Sequence, residues 1–250
     1  MEKKWYSNFQ SKLLKLNEVR KNKTIVFMIC TMRSGSTLLK SLLANAPDTS
    51  HLPEIDFQKY NNANAWKINA LSTAKIIILK KPASYHDSTY PRIPAVKNSK
   101  KIVLVRDVYD TVISLQKMNK AISSKYDEAW SLDQLVHDYW VKTYEGILDR
   151  LPLTDQDFRM IKYEDLLQNP VRHTQALFEF IGSAQREGVA SYLPPKTFNW
   201  EWGKDDGGEK IQSLQVQYKP KEKNNKTLTK IIQDSEQVQR IRKRLGYQNS

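Results

Sequence analysis

One cysteine, Cys30, stands among 250 residues. An intrachain disulfide is therefore excluded, as is a cysteine-rich metal site. Long apolar runs are missing too. The longest clean one is Ile25-Val26-Phe27-Met28-Ile29-Cys30, whereas a membrane span needs about 20 residues. Met1-Glu2-Lys3-Lys4-Trp5 has no apolar stretch of the signal-peptide kind. These absences predict a cytoplasmic protein with no membrane partner. Histidines number only 4, and no His, Cys, Asp and Glu cluster has metal-ligand spacing, so no metal is expected. Acidic residues are outnumbered, 27 against 40 Lys+Arg, for a formal charge of +13. That excess asks for an anionic partner: nucleic acid, a membrane face or a small phosphorylated ligand. What is present suits a folded chain. Hydrophobic residues at 40% and aromatics at 10% exclude wholesale disorder, and the length suits one domain over 1–250.

Four short apolar runs punctuate the chain: Ile25–Ile29, Lys75–Lys80, Lys101–Arg106 and Phe158–Tyr163. Their β-forming residues and length predict strands. Helical spacing predicts helices near 4–20, over Thr37–Asn45, Val108–Met118, Leu132–Leu151 and Pro170–Ile181, and over Thr227–Leu245. The stretch 192–226, rich in Lys, Pro, Gly, Asp and Asn, reads as loop. Apolar strands alternating with helices predict an α/β fold: a central parallel sheet flanked by helices in three P-loop-like layers. Ligands in such folds sit at the carboxyl ends of the strands.

The first strand enters Thr31-Met32-Arg33-Ser34-Gly35-Ser36-Thr37, and a helix follows at once. A tight loop between strand and helix cradles phosphate, because free N–H groups and the helix dipole converge there. It is not a Walker A loop, which ends in Gly-Lys-Ser/Thr. Ser36 stands where the lysine should be, which weakens a nucleotide triphosphatase or kinase. At the third strand end comes Arg106-Asp107, with Ser114 eight residues later. A guanidinium fork and a hydroxyl can converge on a second phosphate.

Together these elements resemble the sulfotransferases that use 3′-phosphoadenosine 5′-phosphosulfate (PAPS). Thr31-x-Arg33-Ser34-Gly35-Ser36-Thr37-Leu38-Leu39 looks like that family's 5′-phosphosulfate loop. Arg106-Asp107-x-x-Asp110-x-x-x-Ser114 looks like its 3′-phosphate motif, and Lys162-Tyr163-Glu164-Asp165-Leu166 like its third block. Order and spacing agree over about 25–182. The resemblance implies that Arg33, Ser34, Gly35, Ser36 and Thr37 hold the 5′-phosphate and sulfonate. It implies Arg106 and Ser114 for the 3′-phosphate, and Tyr163 near the adenine or its phosphate. Val108 departs from the proline frequent in the family after Arg-Asp. The product would be adenosine 3′,5′-bisphosphate.

In-line transfer of a sulfonate needs a base for the acceptor's proton and cations for the charge that develops. Soluble eukaryotic members place a histidine after the second strand. Here that place reads Lys80-Lys81-Pro82-Ala83. The pattern instead looks like the protein-tyrosine and bacterial branches, with a glutamate in the loop after the first helix. Glu54, 21 residues after Arg33, takes that place. His51 and then His86 are the next choices. Lys80, with Lys81, could stabilise the bridging oxygen. A late lysine and glycine loop closes over the nucleotide in the family, which makes 185–226 a lid with Lys204 or Lys210 as its cation. Glu54, Asp56, Asp205 and Asp206 would make the acceptor side acidic, suiting a cationic small molecule such as a guanidinium alkaloid of the saxitoxin type. A carbohydrate or peptide tyrosine is an alternative acceptor. Another class also stands: a nucleic-acid-binding P-loop-like protein, supported by the basic tail Arg240–Arg244 but by no nucleic-acid motif.

Overall fold

The computed structural model describes residues 23–83, 93–94, 96–97, 99–122, 130–151, 157–196, 198, 209–219 and 222–247. The expected helix near 4–20, His86, Lys204–Asp206 and the Lys210 side chain lie outside them.

Four parallel strands form one sheet in the order β2-β1-β3-β4. They are β1 (Thr24–Cys30), β2 (Ile76–Lys80), β3 (Ser99–Val105) and β4 (Phe158–Lys162). β1 pairs with both β2 and β3, with Phe27 opposite Leu79 and Lys101. Alternate residues of one strand serve opposite faces. Phe27 and Ile29, with Val103 and Val105, join a core with Leu135, Trp140, Leu228 and Ile241. Val26 and Met28, with Ile102 and Leu104, join another with Leu39, Leu42, Phe178 and Ile181. Both faces are covered, which is why β1 and the second half of β3 run as continuous apolar stretches.

The helices are α1 (Ser36–Leu43), α2 (Trp66–Asn69), α3 (Val108–Ile122), α4 (Leu132–Gln134), α5 (Lys142–Leu148), α6 (Tyr163–Gln168) and α7 (Pro170–Ile181). Then come α8 (Glu209–Gln212), α9 (Lys226–Asp234) and α10 (Glu236–Arg244). Several differ from the sequence-based expectations. The helix expected over 132–151 carries a π-helical segment, Leu135–Val141, between α4 and α5. The single C-terminal helix is two. Ser235 is extended at φ −93° and ψ 109°, and its side chain accepts from Val238 N–H, so it starts a new helix. Within the expected 192–226 loop, α8 forms beside Tyr192, whose hydroxyl donates to the Ile211 carbonyl. Tyr163, read as the end of the fourth strand, opens α6.

The chain winds from β1 to β2 on one side and returns to β3 on the other. The crevice between β1 and β3 is therefore the switch point, where ligands bind in such sheets. Among the described residues, no helix is long and apolar enough to cross a membrane.

Candidate active site

β1 delivers its chain to the switch point at Thr31–Gly35, and α1 leaves from it. Two positive φ values make the turn: Arg33 at 62° and Gly35 at 90°. Glycine adopts this region at no steric cost, whereas an arginine stays there only when its surroundings hold it. They do. Arg33 Nε donates to Ser114 Oγ at 2.9 Å, and its carbonyl accepts from Arg106 Nη1 at 2.5 Å. Gly35 has a second reason to lack a side chain, since a Cβ would overlap the Tyr163 ring.

The π-helical segment and α5 brace this loop from below. Met32 N–H donates to Tyr139 Oη at 2.6 Å, and Tyr139 donates on to the Ala83 carbonyl at 2.5 Å. Tyr144 donates to the Leu104 carbonyl at 3.2 Å, so its oxygen accepts from Thr31 Oγ1 at 3.1 Å. Trp140 Nε1 donates to the Arg106 carbonyl at 3.0 Å. One helical stretch thus supports both of the elements expected to bind phosphate. Its side chains were invisible as site residues, because tyrosines and a tryptophan at helical spacing read as core.

Arg106 comes off β3 only 8% exposed. Its guanidinium carbon stands 4.7 Å from the Tyr163 ring centroid. Its Nε is buried with no hydrogen-bond partner, and so is Ser34 Oγ. An unpartnered buried donor is costly, and an anion at this spot would satisfy it. Behind Arg106, Asp107 N–H donates to Glu164 Oε1 at 3.0 Å. The Asp107 carboxylate faces Arg242 at 3.5 Å and Lys223 at 3.4 Å. Tyr247 donates to Glu164 Oε2 at 2.8 Å. Burial raises the Glu164 and Tyr247 pKa values. The sequence reading missed Arg242, Lys223 and Tyr247, because each joins the site across more than 80 residues.

At the other side of the loop, Lys80 leaves β2 nearly buried. Its Nζ lies 3.2 Å from Glu54 Oε2 and donates to Thr37 Oγ1 at 3.0 Å. The expected base, the strand-end lysine and the phosphate loop therefore meet. Glu54 keeps 44% of its side chain exposed, open to an incoming molecule. Lys81 pairs with Asp56 at 3.4 Å. Glu54 and Asp56, two of the four carboxylates expected to make the acceptor side acidic, thus carry lysine partners. His51 lies in the same loop, near Lys40. Burial, and then Lys40, push its pKa down to about 4, making it a weaker base than an ordinary imidazole. Its Nε2 is buried without a partner, and its ring meets Phe198 edge-on at 5.3 Å. Burial pushes the Cys30 thiol up, so it stays protonated and is no nucleophile.

The basic tail is engaged. Arg240 pairs with Glu145 at 2.7 Å and Arg244 with Asp149 at 2.8 Å, while Arg242 turns inward to Asp107. Three of the charges offered in support of nucleic-acid binding are thus paired with acids of the same chain.

Comparison with known proteins agrees with this layout. The sulfotransferase domain model matches residues 23–202. The chain is similar to the sulfotransferase domain from the curacin biosynthetic pathway, at 17% identity over 91% of this chain and 99% of that one, with a TM-score of 0.64. It is also similar to the sulfotransferase domain from the Synechococcus PCC 7002 olefin synthase, at 15% identity over 92% and 97%, with a TM-score of 0.52. These likenesses concern the fold. No curated protein sequence matches the chain. A family match that begins at β1 and takes in the loop, Arg106, Ser114 and Tyr163 leaves one assignment: the chain belongs to the sulfotransferase domain family, and it is a sulfotransferase enzyme.

Proposed function

We propose that the protein moves a sulfonate group from PAPS to a hydroxyl or amine of a small-molecule acceptor, with Glu54 as general base. The observation that carries this reading is the chain of contacts Glu54–Lys80–Thr37, which ties a half-exposed carboxylate to the phosphate loop. The residues at the strand ends fit the donor. Arg106 Nε is a buried donor awaiting an acceptor, and the open loop at Arg33 and Gly35 can receive phosphate oxygens.

When bound, the donor supplies a sulfonate activated by its phosphate leaving group. Arg33, Ser34, Gly35, Ser36 and Thr37 hold the 5′-phosphate and sulfonate, the two partly exposed residues Arg33 and Thr37 through their side chains. Arg106 and Ser114 hold the 3′-phosphate, with Tyr163 beside the adenosine. Glu54 takes the proton from the acceptor as its oxygen or nitrogen attacks in line. Lys80, already on Thr37, neutralises charge as it builds on the bridging oxygen. The neighbours from the curacin and olefin synthase systems make a natural-product acceptor the first class to try. Lys80 and Lys81 offset Glu54 and Asp56, so attraction for a guanidinium alkaloid would rest on Asp205 and Asp206.

The test is transfer of labelled sulfonate from PAPS across a metabolite panel, by wild type and Glu54→Gln. Glu54→Gln is expected to lose kcat by roughly two to four orders of magnitude and to keep donor affinity. Near-normal turnover would move the base to His51 or His86.

A further inference from the structure

Lys40 sits in the second turn of α1, where a lysine ordinarily reaches solvent. Here it is only 3% exposed. Its Nζ donates to the Leu52 carbonyl at 2.5 Å and stands 4.9 Å from the Phe198 ring centroid. Three chain segments therefore meet at one cation. The first is α1, which begins at the phosphate loop. The second is the loop after α1, which carries Glu54. The third is the late part of the chain, at Phe198. On its other side, the Glu54 loop is pinned by Ile55 N–H donating to the Lys80 carbonyl at 3.2 Å. Glu54 is thus held between two anchors, Leu52 on Lys40 and Ile55 on β2.

We infer that Lys40 is a positioning residue: through the Leu52 carbonyl and the Phe198 ring, it fixes the Glu54 loop in register with the phosphate loop. The inference rests on Glu54 as the base. A methionine or leucine would fill the same space without burying a charge, and a buried ammonium costs stability. The charged and titratable groups facing it are Lys80 from β2, and Glu54 and His51 from the loop. Burial, then Lys80, push the Lys40 pKa down to about 7, with Glu54 opposing. As pH rises through that value, the ammonium loses its charge. Its bond to Leu52 then weakens, and its attraction to the Phe198 ring disappears.

The experiment compares wild type with Lys40→Met in four measurements. Affinity for adenosine 3′,5′-bisphosphate should stay within about twofold, since no donor contact is removed. Thermal stability at pH 6 should be equal or higher, since a buried charge is gone. Amide exchange over 50–57 should quicken several-fold, and kcat should fall about tenfold to a hundredfold, as small misplacements of catalytic groups cost. Wild-type kcat should also bend downward through about pH 7, and the variant's should not. Wild-type kcat and unchanged exchange over 50–57 in the variant would overturn the inference. If Lys40→Met does not fold, Phe198→Leu removes only the ring from a partly exposed site. Faster exchange over 50–57 would then support the inference, and unchanged exchange would overturn it. A wild type that transfers no sulfonate would count against the proposed function, while the exchange measurement still decides the role of Lys40.

Discussion

Arg106 donates to the main-chain carbonyl of Arg33 at 2.5 Å, so the two elements proposed to bind phosphate touch directly. The loop after β1 and the arginine after β3 form one unit, and each fixes the other. Arg106→Ala removes a charged donor and the support of a residue at φ 62°. A hydrogen bond to a charged group is worth about 1.5–3 kcal/mol. Calorimetry should therefore show affinity for adenosine 3′,5′-bisphosphate falling roughly tenfold to a hundredfold, and ligands lacking the 3′-phosphate should compete better. Unchanged affinity would remove Arg106 from the site.

Gly35→Ala meets two obstacles at once, the left-handed backbone and the Tyr163 ring. The first costs roughly 1–2 kcal/mol. The second forces the ring off the loop. Donor binding should collapse while the sheet and helices persist. Circular dichroism with calorimetry separates the two effects. Adding Tyr163→Ala should relieve the clash but not the backbone cost, so any recovery should be partial.

Arg242 and Asp107 form an ion pair whose side chains are each 8% exposed. Removing Arg242 leaves the buried Asp107 carboxylate with Lys223, at 3.4 Å, so the cost stays below the about 3–5 kcal/mol of a fully unpaired buried charge. At about 2–4 °C per kcal/mol for a chain of this size, Arg242→Met should lower Tm by up to about 10 °C. The double variant Arg242→Met, Asp107→Asn should lose less than the single one, because the group then left without its partner, Lys223, is half-exposed and solvated whereas Asp107 is buried. A smaller loss in Arg242→Met than in the double variant would contradict this account of α10.

His51 predicts a pH dependence. Its folded pKa lies near 4, below the ordinary histidine value, because burial and then Lys40 oppose its charge. Between about pH 6.5 and 4 the unfolded chain therefore binds a proton that the folded chain does not. Stability is lost from this source as pH falls through that window. A Tm series in His51→Gln should fall less steeply over it than wild type. Parallel curves would mean that His51 titrates normally.

Much of the fold was legible because its signals are local. Largely apolar runs at the predicted places, with helices after β1, β3 and β4, point to a covered parallel sheet, and the loop after β1 announces itself by Gly35 in a chain with few glycines. The split at Ser235 was hidden because apolar spacing continues across it, from Leu228 and Ile232 to Val238 and Ile241. The π-helical segment was hidden for a related reason: widening a turn changes hydrogen bonds, not composition. At the candidate site, Arg33, Glu54, Lys80, Arg106 and Ser114 could be singled out one by one. Their pairing was not, because Lys80 on Glu54 and Arg33 on Ser114 are meetings of distant segments. Lys40 was the least legible, since a lysine in a helix ordinarily means a wet face.

The most direct test of the central claim is the thermal midpoint with adenosine 3′,5′-bisphosphate in the presence of a chelator, set against ATP with Mg²⁺. A ligand that binds only the folded chain raises the midpoint by mass action. The account predicts a clear rise with the bisphosphate, lost in Arg106→Ala, and little or none with ATP and Mg²⁺. A rise with ATP and Mg²⁺ but none with the bisphosphate would contradict it.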